Sequence, residues 1–322
     1  MRIVYILVAV TLICGPAKAD QLTPEQKALV TKLSGIRDSL HPQTGDINIP
    51  AANVVLHLGG EYYYLPPDEA RNVLINAWNN PPAAVEDALG MIFPKGSNFW
   101  DQKGWAAVVT FEPSGFIAGT QHSQKDFDSA AKAIRDAEDA SNEARKKAGA
   151  VPVHFVGWAQ PPQYDEQNHT VIWARDLHFG AMDVDTLNYD VRVLGRRGYL
   201  SLNMISDMPE LPIIRHDAEE LRAKADYQPG SRYEDFNKAT DKKSGLGIAG
   251  LVAAGAGVVL AQKLGLFAVA ALFFKKAAIL VVAAFAAMAS WVRNLFGRKK
   301  KFVENGSARI SSSVPPPDAG SE

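Results

Sequence analysis

Between Val151 and Ser206 the chain is written in β-prone runs: "VPVHFVGW", "TVIWARDLHF", "LNYDVRVL" and "GYLSLNMIS" follow one another. Tyr189, Val191 and Val193 alternate with charged residues, and Leu200, Leu202 and Met204 with polar or small ones. Alternation with period two puts the two sets on opposite faces, so these runs are expected to form an antiparallel sheet with one buried and one solvated face. "GRRG", Gly195 to Gly198, reads as the hairpin loop between the last two runs.

Helical signals surround this block. Leu22 to Leu40 has Thr23 and Gln26 at capping-box spacing, Pro24 at the first helical position, and Leu29, Leu33, Ile36 and Leu40 along one face. "NVVLHLGGEYYYL" reads as a hairpin around Gly59-Gly60. Pro67 to Trp78 reads as a second helix ended by "NNPP", and Ala88 to Phe93 and Trp105 to Phe111 as strands, with "EPSG" turning after the latter. A long helix is expected from Asp126 to Ala148, stopped by Gly149. A polar helix near Asp217 to Lys224 and a loop-like stretch complete the body. The fold class is therefore α+β, an antiparallel sheet covered by helices, followed by C-terminal transmembrane helices.

The two ends set the expected topology. Arg2, the apolar run Ile3 to Ile13 and the Ala17-Lys18-Ala19 site read as a secretory signal peptide over residues 1–19. The one cysteine, Cys14, falls inside it, so the mature chain is expected to use neither disulfide nor thiol chemistry. An exported body over 20–240 would follow. Ser244 to Gln262 and Ala277 to Val292 carry no charge; as helices they would run about 28 Å and 24 Å. They mark a membrane-anchoring region over 244–297. Gly245, Ala249, Ala253, Gly257 and Ala261 recur every fourth residue as a ridge of small side chains suited to close helix packing.

Lys263 to Lys301 holds eight Lys or Arg and no acid, whereas Asp20 to Gln262 is acidic. The basic end favours the cytoplasm and an odd number of crossings, with a two-helix hairpin as the alternative. Residues 298–322 read as a basic then Pro-rich, disordered tail. An acidic exported body argues against nucleic acid, and the basic stretch suits anionic lipid. The expected partners are the lipid bilayer and another membrane protein, with the body on the exported side.

Signs of chemistry are sparse. In "VGWAQPPQYDEQNHTVIWAR", Val156 to Arg175, "QPPQYDEQN" is expected to make the reversal between two strands, with Trp158, Tyr164 and Trp173 packed around it. Asp165 and His169 are the candidate acid/base pair, since a carboxylate can orient an imidazole that titrates near neutral pH. Arg196 and Arg197 could clamp an anion through their guanidinium forks, with Tyr164 as a further candidate ligand-binding residue. His154, His169 and His178 with Asp165 and Asp176 lack a metal-ligand spacing, so no metal site and no cofactor are expected. Neither a Gly-x-Ser-x-Gly elbow nor a phosphate loop is present.

The order of "NNPP", "SNEARKKAG", "VGWAQPPQYD", "WARDL", "LNYDVRVLGRRGYLSLN" and "RYEDFNKATDK", followed by a Gly/Ala-rich segment and a basic end, resembles a bacterial family of uncharacterised membrane-anchored proteins, the DUF2167 family. The resemblance runs from about Leu40 to Lys301. It implies a signal peptide, an exported domain and a C-terminal anchor, hence the bacterial inner membrane with the body in the periplasm, and it brings no activity, cofactor or catalytic residue. "DKKSGLGIAG" departs from the more aromatic approach expected before the anchor, which implies a loosely held helix start near Ser244. The expected function is that of a non-enzymatic binding or interaction module of the cell envelope. The alternatives are a membrane-tethered periplasmic hydrolase and an accessory subunit of a transporter.

Overall fold

A computed structural model describes residues 23–101, 103–119, 124–147, 149–180 and 182–254. The expected signal peptide, the second apolar segment, the expected tail, and Gly257 and Ala261 of the small-residue ridge lie outside the described residues. No helix among the described residues is long and apolar enough to cross a membrane.

The body is α+β. Strands β1 (Asp46–Ile49) and β2 (Val54–His57) pair with each other, and β2 also pairs with a later strand, β10 (Ala225–Tyr227), to make a small antiparallel sheet. The main sheet has seven antiparallel strands. These are β3 (Tyr62–Leu65), β4 (Gly90–Pro94), β5 (Ala106–Glu112), β6 (Val153–Asp165), β7 (Thr170–Phe179), β8 (Thr186–Leu194) and β9 (Tyr199–Asp207). Their order is β3-β4-β5-β9-β8-β7-β6.

The expected hairpin at Gly59-Gly60 does not form. β2 and β3 belong to different sheets, so the two glycines carry the chain from one layer to the other. Gln43 and Tyr64 form a two-way backbone bridge that holds β3 at the sheet edge instead. The "QPPQYDEQN" reversal is likewise shorter than its composition implies. β6 runs on through Pro161 and Pro162 to Asp165, shifting register at three places, and only Glu166 to His169 turn. β6 is an edge strand, where a missing N–H costs no ladder bond and bulges absorb the rest. "GRRG" does join β8 to β9, with Leu194 opposite Tyr199.

The first helix, α1 (Pro24–Asp38), starts in the capping box expected of Thr23 and Gln26. Helix α2 (Pro67–Asn72) continues into a single π-helical stretch, Val73–Ala77, in which Trp78 N–H reaches the Val73 carbonyl at 2.9 Å. The widened turn ends at Asn79, whose φ is +53°. Helix α3 (Gln124–Lys147) ends before Gly149, whose φ of +72° is the left-handed position that glycine fills at a helix end. The last two helices are α4 (Leu211–Ala223) and α5 (Ile248–Ala253).

Residues directly opposed in an antiparallel pair share a face. One face of the main sheet carries Ala107, Val109, Leu202, Met204, Val191, Tyr189, Ile172 and Ala174, which form a core with the small sheet and with Ile214, Ala218 and Leu221 of α4. The other face is covered at both ends. α1, α2 and the π-helical stretch lie on Leu65, Met91, Phe93 and Ala106. α3 and α5 lie on Val171, Trp173 and Tyr199, and on Phe155 and Leu177. Asn142 of α3 locks that cover in place: its amide donates to the Val153 carbonyl at 2.9 Å and accepts from the Val153 N–H at 2.8 Å.

α5 opens the charge-free run that starts at Ser244. The helix begins at Ile248, not near Ser244, and it is well held. Phe116 N–H donates to the Lys242 carbonyl and Ser244 N–H to the Phe116 carbonyl, so the approach is stitched to the body. Ile248, Leu251 and Val252 are fully buried. Of the small-residue ridge, Gly245 is exposed and precedes the helix, and Ala249 and Ala253 are half-buried, Ala253 against the Trp173 cluster.

Candidate functional site

The residues singled out from the sequence are drawn into separate contacts. Asp165 closes its own turn: its carboxylate accepts from the N–H of Gln167 at 2.9 Å and of Asn168 at 3.2 Å, and from the Asn168 amide at 2.6 Å. These bonds hold the carboxyl below its ordinary range, against the burial that works to raise it. His169 takes a φ of +47° as the turn meets β7, and its ring stacks on Tyr233 with centroids 3.9 Å apart. Its Nδ1 lies 3.3 Å from the Tyr164 hydroxyl. Tyr164, His169 and Tyr233 thus form an aromatic corner, and Tyr233 Oη accepts from Gly119 N–H at 2.8 Å. A Cβ at Gly119 would strike the Tyr164 ring.

Arg196 makes a two-pronged pair with Asp241, Nε at 2.7 Å and Nη2 at 3.0 Å, and donates a third bond to the Gly230 carbonyl. It therefore ties the β8–β9 loop to the segment leading into α5. For Arg197 a backbone bond stands out, its carbonyl accepting from Gly115 N–H. The three histidines do not converge. His154 and His178 face each other across β6 and β7, with His154 on Glu138 at 2.6 Å and His178 on Asp185 at 2.7 Å, while His169 stands at the turn.

Among the described residues one His/Asp/Glu group has metal-ligand proximity, His216, Asp217 and Glu220 on α4. Two of its carboxylates are engaged, Asp217 by Trp105 Nε1 at 2.6 Å and Glu220 by the Tyr62 hydroxyl at 3.1 Å. Clefts of about 290 and 380 Å³ lie elsewhere, one along β1 and the other beside Trp100.

The site that sequence reasoning missed lies on the helix-covered face of the main sheet. The register sets three rows side by side: Thr110, Ser201, Arg192 and Val171; then Val108, Asn203, Asp190 and Trp173; then Ala106, Ile205, Asn188, Arg175 and Trp158. A strip of polar residues therefore crosses a face that is apolar at both ends. Asp190 is 0 % exposed, Arg192 6 % and Arg175 8 %.

Both arginines use the same carboxylate. Arg175 Nη2 donates to Asp190 Oδ2 at 3.0 Å, and Arg192 Nη2 to Oδ1 at 2.7 Å. Asn203 Nδ2 adds a third bond to Oδ1 at 2.9 Å. The Arg192 guanidinium also lies between the Trp173 and Tyr199 rings, 5.2 and 5.7 Å from their centroids. Burial raises the Tyr199 hydroxyl above its ordinary value, and Arg192 works against that shift. Thr110, Asn188 and Asn203, in the same rows, are half-buried.

The fold and this strip define an α+β domain with a buried, charged network on its main sheet. The chain matches the family model described as "Protein of unknown function (DUF2167)" over residues 41–286, and it belongs to that family. "WARDL" and "LNYDVRVLGRRGYLSLN", two of the runs that carry the resemblance, hold Trp173, Arg175, Asp190, Arg192 and Asn203. No curated protein matches the chain. Among solved structures, the cyanobacterial PsbP (CyanoP) of Synechocystis sp. PCC 6803 shares 7% identity with a TM-score of 0.33, over 59% of this chain and 93% of that one. A similarity that slight bears neither on fold nor on function.

Proposed function

We propose that the chain is an exported binding module of the bacterial cell envelope, tethered to the inner membrane by its C-terminal apolar region. The observation that carries this reading is the docking of α5. The charge-free run that begins at Ser244 enters its helix with Ile248, Leu251 and Val252 buried against Ile117, Phe127 and Trp173 of the body. The start of the charge-free run is thus packed into the body itself. The region beyond supplies the basic charge that favours a cytoplasmic end.

Binding is favoured over hydrolysis because Asp165, His169 and Arg196 are spent on three different structural tasks, a turn, an aromatic stack and an ion pair. Reporter fusions after Asp20 and after Lys301 test the topology. The expected outcome is an exported reporter at the first and a cytoplasmic one at the second. A cytoplasmic reporter at Asp20 overturns the reading.

A further inference from the structure

Two guanidinium groups and one carboxylate are an unbalanced set in a place that water scarcely reaches. Asp190 is fully buried and its two oxygens already accept three hydrogen bonds. The other acids on this face of the sheet, Glu112 and Asp207, stand in its outermost rows. One positive charge of the Arg175–Asp190–Arg192 group is therefore uncompensated within the strip.

The unmet hydrogen bonds point the same way. Arg175 Nε, Arg192 Nε, Trp158 Nε1 and Trp173 Nε1 are buried with no acceptor in reach. All four are donors, and the register places all four residues in this patch: Trp158 directly opposes Arg175, Trp173 opposes Asp190, and Arg192 stands over Trp173. A buried donor left unpaired is costly, and a buried unpaired charge more so. A water molecule could accept from some of these donors, but it would not balance the charge.

We infer that the strip is a binding site for an anionic group, a carboxylate or a phosphate, seated against Arg175 and Arg192 under the α3–α5 cover. Guanidinium groups match the paired oxygens of either anion, and the half-buried Asn188, Asn203 and Thr110 line the approach from solvent. The inference deepens the binding-module reading and needs nothing of the tether, so topology reporters and ligand titrations fail independently.

The test is a titration of the purified full-length protein in detergent with inorganic phosphate and, separately, acetate, at constant ionic strength. The indole N–H resonances of Trp158 and Trp173 are followed, assigned through Trp158→Phe and Trp173→Phe. The expected result is a saturable shift of both signals with at least one anion. A response to phosphate alone assigns a phosphoryl ligand, and a response to acetate assigns a carboxylate. Arg175→Met leaves Asp190 paired with Arg192 and Asn203, and should weaken the response by about tenfold or more. Circular dichroism melts establish that this variant is folded, and Arg175→Lys serves in its place if it is not. The absence of a saturable shift with either anion overturns the inference. So does a shift of undiminished affinity in the folded Arg175→Met protein.

Discussion

The guanidinium of Arg192 lies over the indole of Trp173, 5.2 Å from the ring centroid, and Trp173 is itself wholly buried. A desolvated cation over an aromatic face is worth about 2 kcal/mol. The contact also fixes the fork so that Nη2 meets Asp190 at 2.7 Å. Packing and charge are thus joined at one residue: the indole positions the arginine, and the arginine positions the acid shared with Arg175.

Asp190 should therefore be the least replaceable polar residue of the domain. Asp190→Ala leaves two buried guanidinium groups without a counter-charge, a change expected to cost about 3–5 kcal/mol. Arg175→Met keeps a neutral Asp190–Arg192 pair and should cost clearly less. Urea unfolding of the two variants in anion-poor buffer checks the order, and an equal loss would contradict the asymmetry.

Much of this architecture was legible before any coordinates, because period-two alternation, a capping box and a Gly stop act over a few residues. The strands on either side of Gly59-Gly60 were visible as strands, but not as members of different sheets. That depends on β3 pairing with β4, Leu65 opposite Met91, while β2 pairs with β1 and the distant β10. The polar strip was missed for a related reason. Alternation in "LNYDVRVL" sorts Asp190 and Arg192 onto one face and the natural inference is a solvated face, yet α3 and α5 cover it. Recognising that Trp158, Trp173 and Arg175 share that face needs the register of three strands. The Arg196 fork does meet a carboxylate, that of Asp241 in the same chain, and this pairing depends on a segment forty-five positions away.

Gly198 closes the β8–β9 loop against the end of β5. A Cβ there would collide with the Glu112 carbonyl oxygen, a backbone atom held in the β5–β9 ladder and unable to swing away. Gly198→Ala should cost about 1–3 kcal/mol through forced backbone displacement. Gly230→Ala serves as a comparison, because nothing lies within 4 Å of its would-be Cβ and only its φ of +87° is penalised. Thermal melts should place Gly198→Ala lower.

Asp241 gives the domain an acid-sensitive clasp. The Arg196 guanidinium, with the Asn237 N–H at 2.7 Å, holds its carboxyl well below the ordinary value of 3.8. A folded pKa below the unfolded one means that the pair's stabilisation is fully present above the ordinary value and is lost as pH falls through the folded value. The stability difference between wild type and Asp241→Asn should thus be level from pH 7 to about pH 5, and should shrink below about pH 4. Melts recorded across that range check it; a difference that grows on acidification would contradict the pairing.

Leu251 tests whether the helix that opens the charge-free run belongs to the core. It is fully buried among Ile117, Phe127 and Val171, whereas Ala249 on the same helix is half-buried. Truncating a buried leucine costs about 2–5 kcal/mol, a lost transfer term plus the cavity left behind. Leu251→Ala should therefore lower the unfolding midpoint of the body itself, read from near-ultraviolet signals of its tryptophans in the detergent-solubilised full chain. Ala249→Ser should stay within about 0.5 kcal/mol of wild type. If both variants melt with the wild type, α5 contributes no packing to the body. If Leu251→Ala alone shifts, the helix that opens the apolar region is part of the body's core. Trp173 then joins the strip to the side chains of α5 within one core.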